Sequence, residues 1–500
     1  MAVIASLILG MVPASASTSW LGYHGDRART AFDPSEPSFA AARPAWKANL
    51  GAAVYGQPVV ADGRVFAATE KNQFVALDPR SGRILWAKSV GRPVTGVDRL
   101  VGCGNIDPLG ITSTPVIDLG THTVFVVGEV SDGGNAVHHQ LMGFDTRTGA
   151  VLTSENADPP LPAGGPRYAL LQRAALALGN GRVYVAFGGN SGDCGTYHGW
   201  LVGLRETGAP DPVTFEVAAD GHGGGIWESG GGPAIAADGH VYVSTGNSDP
   251  FPGHNPDPSL YAESVIELPP DLGVPVASFR DPAASGDGDL AAGNPLLLPD
   301  GTVFAVGKTD VAYVLRRGDL SVVTTIAGVC GSDPDGGAAF DVANDTIFVP
   351  CRGGGIQEVD LRHGRVGRKL PGANGAPILV ADHLWALDYP AGILHEYNAA
   401  SGAPLQTVPV GVTVPTFASP SAALGLLLVG TKDGVVAFRG AASFSASSTG
   451  AARSASHVPA SSTVFYSAWG IVAALAVVVA AAVMIVGLVT YRIQGRRSER

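Results

Sequence analysis

Residues 63–86 read GRVFAATEKNQFVALDPRSGRILW: an apolar strand, a turn, a second strand ending in Ala-Leu-Asp, a polar hairpin, and a third strand ending in Trp86. The opening strand returns as TVFVVG (123–128), RVYVAF (182–187), HVYVST (240–245), TVFAVG (302–307), TIFVPC (346–351), HLWALD (383–388) and LLLVGT (426–431). The second strand and its turn recur as MGFDTRTGAVL, VGLRETGAP, QEVDLRHGRV and HEYNAASGAPL, each with apolar residues ahead of a glycine-containing hairpin. Eight copies of one short unit predict a repeat architecture.

The copies stand about 58 to 62 residues apart in the first half and about 37 to 44 in the second, which suits four strands per unit with longer early insertions. One such unit cannot bury both faces of its sheet. Radial stacking buries them against neighbours, so the prediction is an all-β, eight-bladed β-propeller of four-stranded antiparallel blades over residues 17–440. The last copy stops at GVVAFRG (434–440) without its outer strand, while PAWKANLG (44–51) resembles the ILWAKSVG (84–91) that closes the first unit. Residues 44–51 are therefore expected to complete the last blade and close the ring.

Glycine (68) and proline (36) are abundant while apolar residues reach 46%, a balance of tight turns and buried strands rather than disorder. The net charge of −11 is spread thinly and the only basic cluster is the extreme C-terminus, so no nucleic-acid partner is expected.

Several segments fall outside the repeat. Residues 1–16 carry an apolar run followed by Ala14-Ser15-Ala16, the pattern of a secretory signal peptide without its usual positive start. Residues 441–466 are an Ala/Ser-rich linker, and 467–491 hold no charge, spanning ~36 Å at ~1.5 Å per residue against a ~30 Å hydrocarbon core. A C-terminal transmembrane helix is expected there. The arginine-rich residues 492–500 place the tail in the cytoplasm and the propeller outside a plasma membrane. Outside the cell, Cys103, Cys194, Cys330 and Cys351 are read as disulfides; three pairings exist, and Cys330 with Cys351 is favoured for its short loop, leaving Cys103 with Cys194.

The phrase VALDPRSGRILW resembles the PQQ-type propeller repeat, shared by quinoprotein dehydrogenases and by non-enzymatic assembly propellers of the bacterial envelope. CGNIDPLGITSTPVID (103–118), QRAALALGNGRVYVAF (172–187), TYHGW (196–200), GGGIWESGGGPA (223–234) and STGNSDPF (244–251) look like an exported subgroup of such proteins. In the dehydrogenase branch the resemblance implies PQQ stacked on Trp227, calcium held by Asn247 with Asp193 beside the position of the glutamate ligand, and Asp287 or Asp289 as catalytic base. Lys308 would contact the quinone oxygens, and His198 would line the axis. Calcium takes oxygen ligands, and a base beside a Lewis acid suits removal of an alcohol proton.

Two departures stand against that set: no two cysteines are adjacent, and no haem-attachment CxxCH is present. Each residue also has a structural reading: Trp227 at a blade interface, Asn247, Asp287 and Asp289 in turns, Lys308 as a solvated loop charge, His198 as a hydrogen-bonded structural group. The expectation is a binding or scaffolding module at the cell surface, with a protein, envelope component or small molecule on one propeller face, and with no cofactor firmly implied. A PQQ- and Ca²⁺-dependent dehydrogenase of alcohols or sugars is the alternative, and it requires Trp227, Asn247, Asp287 or Asp289, and Lys308 to converge on the central channel.

Overall fold

The computed structural model describes residues 17–36, 38–161, 166–250 and 260–441. The expected signal peptide 1–16, the expected transmembrane segment 467–491, the basic tail and all but the first residue of the expected linker lie outside the described residues; among those described, no helix is long and apolar enough to cross a membrane. The tip of the insertion after STGNSDPF, residues 251–259, also falls outside them.

Eight antiparallel sheets follow one another along the chain: blades 1 to 8 span residues 59–89, 116–156, 170–216, 234–280, 296–327, 339–370, 378–409 and 421–439. In blade 1, Arg64–Ala68 is buried after its first residue, because neighbouring sheets cover both of its faces, whereas the outer strand Ile84–Ser89 is largely exposed. Blade 3 departs from the expected pattern in having its innermost strand in two pieces, Leu170–Leu171 and Ala177–Gly179, both paired with Arg182–Gly189.

Closure occurs as the sequence predicts. Arg43–Asn49 is the outer strand of blade 8, antiparallel to Gly434–Arg439, with Ala48 opposite Val435, Lys47 opposite Val436 and Trp46 opposite Ala437. Trp46 also reaches into blade 1, where its Nε1–H donates to Pro79 O at 2.9 Å. Its ring lies against Gly82, where a Cβ would stand 2.5 Å from Trp46 Cε3. The same device recurs one blade on, with Trp86 against Gly149. In these two hairpins the glycine is thus the seat for an aromatic ring from the preceding blade.

A second element was not foreseen. Residues 17–33 run as a strap past the innermost strands, whose free edges face the channel. Leu424 N–H donates to Ser17 O, Val60 N–H to Trp20 O, Ile117 N–H to Leu21 O, Ile235 N–H to Arg27 O, Leu297 N–H to Ala28 O, Phe340 N–H to Thr30 O and Leu379 N–H to Ala31 O, all within 3.0 Å. Blade 3 is reached by a side chain, Arg29 Nη2–H donating to Leu176 O at 3.1 Å. All eight blades are therefore tied to one segment, seven of them in ring order through its carbonyls and blade 3 out of sequence through Arg29, and the segment then adds Phe32–Asp33 as a parallel fifth strand to blade 7. Unpaired strand edges inside a protein are costly, and the strap supplies each with a partner. Tyr23 and His24, stacked with ring centroids 3.9 Å apart, are buried in the channel.

Both expected disulfides form, Cys330–Cys351 and Cys103–Cys194. Between blades 2 and 3 a buried ionic cluster fixes the connection: His139 Nδ1 lies 2.9 Å from Asp158 Oδ1 and His139 Nε2 lies 3.5 Å from Glu129 Oε2, while Arg167 Nε sits 2.9 Å from Asp158 Oδ2. Burial alone would lower the His139 pKa, but its two carboxylate partners outweigh that and hold it at about 9.

Two outcomes are expected. Gly63 has φ +66 and open space, so Gly63→Ala tests backbone strain alone, costing about 1 kcal/mol. Gly82→Ala adds the collision with Trp46 and should cost about 1–3 kcal/mol more by thermal or urea unfolding; equal losses at the two sites would refute the docking role. The raised folded pKa of His139 means that its stabilisation is fully present below the unfolded value of about 6.5 and is lost as pH climbs through about 9. The melting temperature should fall over that window, and His139→Gln should flatten the fall.

Candidate functional site

The connections that enter the innermost strands, together with those that leave the second strands, meet around the axis and enclose a pocket of about 340 Å³. Its wall includes Tyr55, Arg173, Trp227, Asp289, Lys308 and Phe417, with Asp193 and Arg352 at the periphery of the same lining. Of the residues singled out in the sequence, Trp227, Asp193, Asp289 and Lys308 line this pocket.

Glycines make that convergence sterically feasible. In GGGIWESGGG, Gly223 has φ +92 and a Cβ there would stand 2.6 Å from Asn247 O, while one on Gly230, at φ +83, would stand 2.5 Å from Arg173 Nη1. Neighbouring Glu228 is fully buried and accepts Ser244 N–H at 2.9 Å, which pins the segment carrying Trp227; burial pushes its carboxyl up to about 8. The Trp227 ring stands 5.8 Å from the Phe417 ring, at 56° to it. Trp227 is thus a pocket wall, and among the described tryptophans only it and Trp86 are not buried.

Asp289 and Lys308 come from the two sides of blade 5. Lys308 N–H donates to Asp289 O at 3.0 Å, an approach that Gly307 permits, because a Cβ there would stand 2.5 Å from that same oxygen. The Lys308 ammonium lies 2.8 Å from Asp289 Oδ2 and 2.6 Å from Asp287 Oδ1, and 5.8 Å from the Trp227 ring centroid. Burial would lower the lysine pKa, but the two carboxylates outweigh it and hold the ammonium above its ordinary range. Lys308 is therefore an ion-paired group and not a solvated loop charge. Asp287 itself is exposed and outside the lining.

The remaining candidates are placed differently. Asn247 meets the site through its backbone, its N–H donating to Asp289 Oδ1 at 2.9 Å, and its side chain is not part of the lining. His198 is also absent from the lining; its Nδ1 lies 2.9 Å from Ala218 O and 3.5 Å from Glu216 Oε1, the environment of a structural histidine. Asp193 Oδ1 accepts the Tyr197 hydroxyl at 2.6 Å. Calcium therefore does not fit: its two expected donors do not share the pocket, Asp289 is taken by an ammonium and a backbone N–H, and among the described residues no group of three His, Cys, Asp or Glu side chains is placed to hold a metal ion. The lining combines aromatic rings with three cations, Arg173, Lys308 and Arg352, of which Lys308 and Arg352 are paired with carboxylates.

Two features escaped the sequence reading. The Cys103–Cys194 disulfide joins two segments at the pocket, for Asn105, Ile106 and Asn190–Asp193 all line it. Arg173 was visible only as a lone charge within the run LLQRAALAL, and nothing in its neighbours pointed toward the axis.

A second recess, of about 380 Å³, lies between the strap and blades 2 to 4; its Arg29 is engaged by Tyr23 O, Leu176 O and Pro233 O.

Residues 38–249 match the family described as outer membrane protein assembly factor BamB. The match covers less than half of the chain. Two curated relatives are the dehydrogenase subunits of quinone-dependent alcohol dehydrogenases from Komagataeibacter europaeus and Gluconacetobacter polyoxogenes, 24% and 25% identical over 261 and 260 residues, or 45% of this chain. The chain spans about a third, 32%, of the length of each. Among solved structures, quinohemoprotein alcohol dehydrogenase from Comamonas testosteroni aligns with a TM-score of 0.66 at 17% identity, over 91% of this chain and 84% of that one. BamB from Moraxella catarrhalis aligns at 0.53 and 15% identity, over 79% and 99%. At these identities the likeness is one of fold.

The ion pair is open to test. Lys308→Met leaves Asp289 buried beside an apolar chain and should cost about 3 kcal/mol in urea unfolding, with most of it recovered when Asp289→Asn is added. Additive losses in the double variant would show that the two groups are not coupled.

Proposed function

We propose that this protein is a binding propeller whose working surface is the axial pocket around Trp227, held at the outer face of a membrane by the apolar segment 467–491. The observation that carries this reading is the state of the one pocket acid placed to act as a base: Asp289 is clasped by Lys308 at 2.8 Å and by the Asn247 N–H at 2.9 Å. What remains is a recess of about 340 Å³ walled by aromatic rings and cations, of the size and mixed character of small-molecule sites.

A dehydrogenase is the second reading, and two observations favour it. Trp227, Asp289 and Lys308 do share one pocket on the axis, and burial raises the Asp289 carboxyl toward the range of a working base, with Lys308 opposing that rise. The curated relatives are dehydrogenase subunits. PQQ, if bound, would supply the two-electron oxidant, and Trp227 and Lys308 are the residues that would hold it.

Full-length protein in detergent, supplied with PQQ and Ca²⁺ and a panel of alcohols and sugars, should leave an electron-accepting dye unreduced. It should bind neutral two-ring aromatics, seen as a raised melting temperature that Trp227→Ala removes. Substrate-dependent dye reduction lost in Trp227→Ala would replace the binding reading with the dehydrogenase.

A further inference from the structure

The first residue of the strap lies against a buried acid that lacks a counter-charge. Glu36, on the turn that follows Phe32–Asp33, is only 1% exposed. Its Oε1 accepts Gly425 N–H at 2.5 Å from the hairpin of blade 8, while its Oε2 has no hydrogen-bond partner. Among the described residues no cation pairs with it; the charge it feels is that of Asp33, of the same sign, which is engaged by Ser35 and by the Glu36 N–H. Burial pushes the Glu36 carboxyl up to about 8, against the pull of the Gly425 N–H. A carboxylate in this state is costly until a cation reaches it.

What stands beside it is the backbone nitrogen of residue 17. Leu424 N–H donates to Ser17 O at 2.7 Å and the next residue, Gly425, donates to Glu36, so two consecutive positions of one hairpin hold the start of the strap and the acid together. The Ser17 N–H faces the same carboxylate and favours its charged form. Within a continuous chain that nitrogen is a neutral amide with a single hydrogen. At a chain end it is an ammonium with three hydrogens and a positive charge. The small-residue pattern Ala14-Ser15-Ala16 stands immediately ahead of this one nitrogen.

We propose that hydrolysis between Ala16 and Ser17 makes Ser17 the mature N-terminus, and that its α-ammonium pairs with Glu36 and fastens the strap to blade 8. A leader-removing peptidase of the exporting membrane breaks the amide bond, and water gives its oxygen to the Ala16 carbonyl carbon and both of its protons to the Ser17 nitrogen. The ammonium supplies the missing charge, and its added N–H groups have the free Oε2 as an acceptor. Because the strap is bonded to all eight blades, the cut chain holds its channel segment more firmly than the precursor does. This goes beyond the binding reading and is independent of what the axial pocket takes.

Protein extracted from membranes in detergent should show Ser17 as its first residue by N-terminal sequencing; a chain beginning at Met1, Ser15 or Thr18 overturns the proposal. The Ala14→Phe, Ala16→Phe double variant removes the small-residue pattern and keeps residues 1–16 attached, and it should melt about 3 °C or more below the processed protein. Glu36→Gln keeps the shape and removes the charge, so in that background the processed and unprocessed forms should melt together. Wild-type forms that melt alike, or a difference that persists undiminished in Glu36→Gln, overturn the pair. Should a variant not fold, the α-amine of the wild type decides: its acylation near neutral pH should run at least about tenfold slower in the folded protein than in urea, as a raised amine pKa requires, and equal rates overturn the pair.

Discussion

The structure depends on how the inward edges of eight innermost strands find hydrogen-bond partners. Each blade satisfies its own strands by pairing and buries its faces against its neighbours, but the innermost strand of every blade turns an edge toward the channel. A propeller with a wide, wet hole leaves those edges to solvent. Here the strap of residues 17–33 makes at least one hydrogen bond with each blade, its carbonyls accepting from seven of them and the Arg29 side chain donating to blade 3. Each such bond adds only about 1 kcal/mol. Their number and their distribution matter more, because a segment bound to all eight blades cannot be released from one without loosening its hold on the next.

Ring closure uses the same stretch of chain. Immediately beyond the strap, Arg43–Asn49 leaves the channel side and becomes the outer strand of blade 8, and Trp46 docks on the hairpin of blade 1. The described residues up to Asn49 thus do two jobs that a non-circular fold would not need: they line the hole, and they join the last blade to the first. The lower half of the largest core cluster reflects this, with Trp20, Phe39 and Trp46 packed together with residues of blades 6, 7, 8 and 1.

How much of this was legible follows from what kind of interaction each part uses. The blades were readable because their signal is local and repeated: apolar strand, Asp or Asn, glycine hairpin, apolar strand. Closure was readable because Trp46 and Trp86 sit in matching phrases. The strap was not, because its bonds are made by backbone carbonyls, which carry no side-chain signature; residues such as Thr30 and Ala31 say nothing of the blades they touch. At the site, Trp227, Asp289 and Lys308 were legible through the resemblance of their phrases to the dehydrogenase branch, and the glycines around them permit the close backbone approach that brings them to one pocket. Arg173 was missed because its partners are 243 residues away at Thr416 and a ring away at Tyr55. His198 and Asn247 were over-read for a related reason: a residue type at a familiar spacing does not reveal whether its polar atoms face the pocket or a neighbouring carbonyl.

Pocket and closure are in turn one problem. The pocket floor is assembled from residues that meet only when the ring is shut: Tyr55 before blade 1, Arg173 before blade 3, Trp227 before blade 4, Phe417 before blade 8, with Tyr23 of the strap close enough to Arg173 for their charges to interact. An open arc of blades would present the same side chains on separate walls. It would also leave Arg173 in water, where a guanidinium needs no partner and has no preference for one ligand over another. Closure sets that charge among aromatic faces and a single carbonyl, so the chemical character of the pocket is set by the same packing that makes the toroid continuous. Pocket and ring-closing segment are for this reason parts of one physical arrangement, and the sequence that encodes the strap contributes to the pocket without supplying a residue of its wall.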